Sequence, residues 1–122
     1  MSPKAGTRYL KASAGICASY FVRDDGVVVR VTPTVFGPGI GKVFEMNPPD
    51  GVKYIEVSSG EYCSYLLRDD GAVDRTTGKG HIECTIAPPR GTKYVAVSSG
   101  SYNSYFLRHD GQVDRTKGDF NP

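Results

Sequence analysis

Three charged runs stand at matched places along the chain: Arg23-Asp24-Asp25-Gly26, Arg68-Asp69-Asp70-Gly71 and Arg108-His109-Asp110-Gly111. A tyrosine precedes each run, at Tyr20, Tyr65 and Tyr105, and a second arginine follows, at Arg30, Arg75 and Arg115. Asp74 and Asp114 sit beside the last two of these arginines. The chemistry such a set could do is recognition. The guanidinium fork pairs with carboxylates in two-pronged geometry, tyrosine and arginine are common binding anchors, and a surface presented several times gains avidity. The candidate binding residues are therefore Tyr20, Arg30, Tyr65, Asp74, Arg75, Tyr105, Asp114 and Arg115. The competing reading of the same residues is a set of ion pairs on solvated strand faces, each worth well under about 1 kcal/mol.

No catalytic set can be assembled. His109 stands where the other runs carry Asp24 and Asp69, which reads as a turn position. His81, Glu83 and Cys84 are close in sequence, but a metal site needs three or four convergent ligands and this spacing makes a weak one. Nothing near Cys63 would lower its pKa, so it reads as a structural thiol. Gly37-Pro38-Gly39-Ile40-Gly41-Lys42 fails the phosphate-loop pattern, because Val43 follows Lys42 where a hydroxyl is required. No cofactor, no metal and no enzymatic activity are expected.

The 122 residues fit one domain. A chain of this size can bury roughly 65% of its unfolded surface. Glycine (15), proline (8) and tyrosine (8) are abundant, which suits short strands joined by tight turns. Fifteen Lys and Arg against 13 Asp and Glu leave a net charge of +2. No concentrated basic surface follows from that balance, so nucleic acid and acidic membranes are not the expected partners. No apolar run is long enough for a membrane helix, and the first residues do not read as a secretory signal. Cys17, Cys63 and Cys84 are odd in number and irregular in spacing, so reduced thiols are expected, in keeping with an intracellular home.

The elements that must position these residues follow from an internal repeat. Tyr54-Ile55-Glu56-Val57-Ser58-Ser59-Gly60 returns as Tyr94-Val95-Ala96-Val97-Ser98-Ser99-Gly100, and more weakly as Tyr9-Leu10-Lys11-Ala12-Ser13-Ala14-Gly15. The leading tyrosines are 45 and 40 residues apart, the extra length falling in a Gly- and Pro-rich loop around 32–42. The units run over about 7–50, 51–90 and 91–122. Alternation puts Tyr65 and Leu67 on one strand face and Ser64, Leu66 and Arg68 on the other. Asp-Gly between alternating segments predicts a two-residue hairpin turn. The glycines at 15, 60 and 100 predict tight bends or close backbone approach. No helical periodicity is present. The chain stops part-way through its third unit, while Ser2–Thr7 is similar to Ala87–Thr92, so the two ends together are expected to complete one broken unit.

The pattern Tyr-x-x-Val-Ser-Ser-Gly-x-Tyr-x-Ser-x-x-Leu-Arg-x-Asp-Gly-x-Val resembles the regulator of chromosome condensation repeat. The likeness covers nearly the whole chain. Two departures stand out. Ala18, Cys63 and Asn103 occupy a place where the family often has His, and Asp74-Arg75-Thr76 and Asp114-Arg115-Thr116 replace a frequent Trp-Gly. The resemblance implies β-propeller blades. It also implies protein partners, because the family includes exchange factors for small GTPases and inhibitors of secreted enzymes. Such rings usually hold about seven blades and this chain supplies three, so open apolar faces would need cover. Homo-oligomerisation into a shared ring is one expectation. The alternative is a β-trefoil, since residues 65–82 are also similar to fibroblast growth factor-like trefoils. The two functional readings are a non-catalytic protein-interaction module and a multivalent carbohydrate-binding protein, so the expected partner is a protein or a glycan.

Overall fold

A computed structural model describes residues 3–15, 18–33, 40–60, 63–77, 81–100 and 103–117. Within them the alternating segments form eleven strands: β1 (Tyr9–Ala14), β2 (Ser19–Arg23), β3 (Val28–Pro33), β4 (Ile40–Met46), β5 (Tyr54–Ser59), β6 (Ser64–Arg68), β7 (Val73–Thr76), β8 (Ile82–Ile86), β9 (Tyr94–Ser99), β10 (Asn103–Arg108) and β11 (Val113–Lys117). They make three antiparallel meanders, β1-β2-β3-β4, β5-β6-β7-β8 and β9-β10-β11. Each sheet draws its strands from consecutive chain segments, and the sheets stack face to face as blades. This is an all-β propeller-type arrangement, and the trefoil alternative is not what the chain adopts. A trefoil interleaves its strands around a shared barrel, whereas here every strand pairs within its own sheet.

Two apolar layers glue the blades. Tyr20, Val22, Val28 and Met46 of the first sheet meet Tyr54, Val57 and Leu66 of the second. Tyr65, Leu67 and Val73 on the second sheet's other face meet Tyr94, Val97 and Phe106 of the third. Alternation along β6 thus sends Leu66 one way and Tyr65 and Leu67 the other, and because the middle sheet is covered on both sides all three are buried. Each such side chain contributes about 1.5–3 kcal/mol on leaving water. Phe106 sits edge-on to Tyr65 and Tyr94, its ring centre 5.2 Å and 5.1 Å from theirs, the offset geometry aromatic rings prefer.

The turns differ from expectation in one respect. The Asp-Gly hairpins are not two-residue turns with Asp at positive φ, since among the described residues only glycines have positive φ. Gly71 N–H donates to Arg68 O (3.1 Å) and Arg68 N–H to Ala72 O (2.9 Å), which closes a three-residue loop with Gly71 at φ 92°. Only the glycine must leave the right-handed regions, and Asp70 instead turns its carboxylate to Ala72 N–H (3.1 Å) and to the Arg68 side chain. A second turn recurs before each inner strand, where Thr7, Val52 and Thr92 N–H donate to Lys4, Pro49 and Pro89 O. Among the described residues, 3–8 pair with no strand of the third sheet, and the two ends themselves, 1–2 and 118–122, lie outside the described residues.

Candidate functional site

The first arginine of each charged run is a clasp inside its own blade. Arg68 holds Asp70 and also reaches Asp74 Oδ1 (3.2 Å). Asp74 is 2% exposed, accepts from Tyr54 Oη at Oδ2 (2.7 Å) and from Thr85 Oγ1 at Oδ1 (2.7 Å), and so is satisfied from three strands. The third blade repeats the clasp more loosely: Tyr94 Oη donates to Asp114 Oδ2 (2.8 Å), and Arg108 Nη1 lies 3.7 Å from Asp114 Oδ1. In the first blade Val29 replaces the aspartate. Its cross-strand neighbour Glu45 supplies the missing carboxylate, and Arg23 donates to it over 2.5 Å.

Titration follows this geometry. The hydrogen bond from Arg23 holds the Asp25 carboxyl below its ordinary range, and Arg68 does the same to Asp70. Burial, then the bond to Asp114, pushes the Tyr94 phenol up to about 12. Burial and Asp74 raise Tyr54 in the same direction. These groups keep one charge state across the neutral range, so they hold structure and are not poised to move protons there.

The second arginines lie directly across the ladder from the tyrosines, as Tyr20–Arg30, Tyr65–Arg75 and Tyr105–Arg115. Arg30 donates from Nε to Tyr20 Oη (3.1 Å) and lies 5.2 Å from the Phe44 ring centre. Arg75 Nε is 3.2 Å from Glu83, and Arg115 donates twice to Asn103 Oδ1. Tyr20, Arg30, Tyr65 and Asp74 are buried, Arg75 and Asp114 partly so, and only Tyr105 and Arg115 are exposed. The eight residues thus recur as the sequence suggests, yet they do not form one surface repeated three times. Four of the eight are packed inside the blades rather than displayed.

Other residues of the expected chemistry are similarly placed. His109 Nδ1 accepts from Lys93 N–H (3.0 Å), the task Asp69 Oδ1 performs for Lys53 N–H (3.1 Å). Cys63 is buried, with Sγ 3.6 Å from Tyr65 Oη, and Cys84 is exposed. Cys17 and the Gly37–Gly39 stretch lie outside the described residues.

A different set does repeat at the surface. Each inner strand carries a bulge: the pairing jumps from Tyr9 to Lys11, from Tyr54 to Glu56 and between the partners of Tyr94 and Ala96. The residue left over is Leu10, Ile55 or Val95, and these are 55%, 44% and 47% exposed. Bulges re-aim a side chain away from the regular pleat. The three positions are held in fixed relation by the inner strands. Glu56 takes Lys11 Nζ (3.0 Å) from the first blade and Val97 N–H (3.2 Å) from the third. Ser13 Oγ accepts Ser59 N–H, and Ser58 Oγ accepts Ser99 N–H. The sequence signal was available, because an apolar residue follows each leading tyrosine where alternation calls for a polar one.

No protein-family model and no curated protein matches the sequence. Solved structures do. Human WBSCR16 aligns with a TM-score of 0.78 at 15% identity, over 96% of this chain and 34% of that one. Yeast RCC1 (Prp20), in a structure bound to Kap60, aligns with a TM-score of 0.66 at 14% identity, over 89% of this chain and 32% of that one. Prp20p from Saccharomyces cerevisiae, in a study of its binding to Gsp1p and histones, gives 0.67 at 15% identity, over 92% and 36%. The chain therefore has the RCC1-like propeller fold and spans about a third of the length of these proteins.

Proposed function

We propose that this chain is a non-catalytic protein-interaction module that meets its partner through the bulged row Leu10, Ile55 and Val95. The observation that carries the reading is the recurrence of an exposed apolar side chain at the same bulge in all three blades. Three large apolar groups at fixed spacing on a rigid scaffold supply contact area at low ordering cost. The fold supports the choice of partner class, since Prp20 is a protein described with Kap60, Gsp1p and histones.

The test is affinity capture with the 122-residue chain, followed by titration of each captured protein in purified form. A triple variant, Leu10→Ser, Ile55→Ser and Val95→Ser, serves as the comparison. All three positions are exposed, so the variant keeps its circular dichroism spectrum. Its affinity falls on the order of a hundredfold, because each anchor contributes about 1 kcal/mol or more. Partners that bind the folded triple variant as well as the parent overturn the reading.

A further inference from the structure

We propose that the open face of the third blade binds the first blade of a second copy of this chain, head to tail. The inference is independent of the partner-binding role of the bulged row. Tyr105, Leu107 and Val113 are 46%, 39% and 56% exposed, whereas their counterparts Tyr65, Leu67 and Val73 are 1%, 0% and 0% exposed beneath the third blade. The third blade thus ends on the same face that the second blade uses to hold its neighbour.

The two internal interfaces show what that face accepts. Tyr54 N–H donates to Gly26 O (3.0 Å), and Tyr94 N–H donates to Gly71 O (2.9 Å). A Cβ on Gly26 or Gly71 would lie 2.6 Å from Lys53 or Lys93, so each glycine is pressed against the incoming chain. Gly111 has the same turn geometry at φ 89°, and its Cβ position has nothing within 4 Å among the described residues.

The first blade carries the complementary set. Arg8-Tyr9 stands where Lys53-Tyr54 and Lys93-Tyr94 stand, and the Arg8 side chain is 81% exposed. Phe21 lies opposite Ala12 and Val29 in the ladder, as Phe106 lies opposite Val97 and Asp114. Phe21 and Tyr9 rings are 5.3 Å apart, ready to receive Tyr105 of the partner as Phe106 and Tyr94 receive Tyr65. One chain therefore holds both halves of an interface it already makes twice. A contact between two different patches closes into a ring when the rotation permits and grows as an array when it does not.

The test is the mass of the full chain by light scattering and sedimentation across a concentration series. The expected mass rises from 13.2 kDa to at least twice that value. Val113→Glu closes the tail face and Ala12→Glu the head face, and both positions are exposed, so each variant folds as the parent does. Each variant alone runs as one chain, and an equimolar mixture recovers a dimer through the single intact pair of faces. A parent that stays at the mass of one chain at every concentration overturns the proposal. So does an assembly that persists in both variants, or a mixture that does not associate.

Discussion

Tyr54 and Asp74, twenty residues apart, share a 2.7 Å hydrogen bond beneath the first blade. The same aspartate also takes Arg68 and Thr85, so one carboxylate ties together strands β5, β6, β7 and β8. The looser Tyr94–Asp114 version sits at the open end of the stack, where Asp114 remains about a third exposed.

That contrast sets the cost of removing each carboxylate. Asp74→Ala leaves the buried Tyr54 hydroxyl without its acceptor and the partly buried Arg68 with Asp70 alone, and is expected to lower the unfolding free energy by about 2–3 kcal/mol. Asp114→Ala, in water-softened surroundings, is expected to cost about 1 kcal/mol. Urea midpoints of the two variants read the difference directly, and equal losses would contradict the clasp as described.

Gly71 and Gly111 differ only in what lies against them. Alanine at either place pays for a left-handed backbone, roughly 1–2 kcal/mol. At Gly71 the new methyl also meets Lys93 at 2.6 Å, which adds about 1–3 kcal/mol of overpacking. Gly71→Ala should therefore be clearly the less stable of the two in thermal melts of dilute protein.

Stability should fall steeply in strong alkali. The raised phenol pKa values of Tyr94 and Tyr54 mean that the folded state keeps protons the unfolded chain gives up at about pH 10. Their contribution is complete below that pH and is lost as the pH climbs through the folded values. Tyr54→Phe should flatten the decline, as followed by tyrosinate absorbance together with circular dichroism. At the other extreme Asp25 and Asp70 are held low, so their contribution persists down to about pH 4 and vanishes below it.

Glu45 and Val29 exchange roles with Thr85 and Asp74 across the same pair of strands. Glu45→Ala leaves the buried Arg23 with Asp25 alone and is expected to cost about 1.5–3 kcal/mol. Adding Val29→Asp should recover most of that loss by restoring the second blade's arrangement. A double variant no more stable than Glu45→Ala would show that the carboxylate cannot be moved between strands.

Much of this architecture is readable along the chain. Alternation around Tyr65, Leu66 and Leu67 foretells two opposite faces, and the recurring glycines foretell turns and close approaches. Alternation has no way to say that both faces of β6 are covered, because a neighbouring blade is needed for that. Tyr20, Arg30 and Asp74 look like surface groups for the same reason: their polarity is local, while their burial depends on Phe44, Tyr54 and Thr85 arriving from other strands. The bulged row shows in the sequence only as an apolar residue after each leading tyrosine, and that this residue is an extra one in the ladder is decided by how the partner strand pairs.

Local chemistry alone therefore settled the strand-and-turn grammar and the absence of helical periodicity, since each depends on neighbours two to five residues away, and comparison of segments 45 and 40 residues apart settled the three-fold recurrence. Stacking decided everything that depends on distance in sequence. It determined which repeated tyrosines are core and which face water, where Arg23 finds its second carboxylate, and which apolar groups are left outside. Identical side chains took different fates, as Tyr65 and Tyr105 did, because burial belongs to the pair of surfaces that meet and not to the residue that carries the atoms.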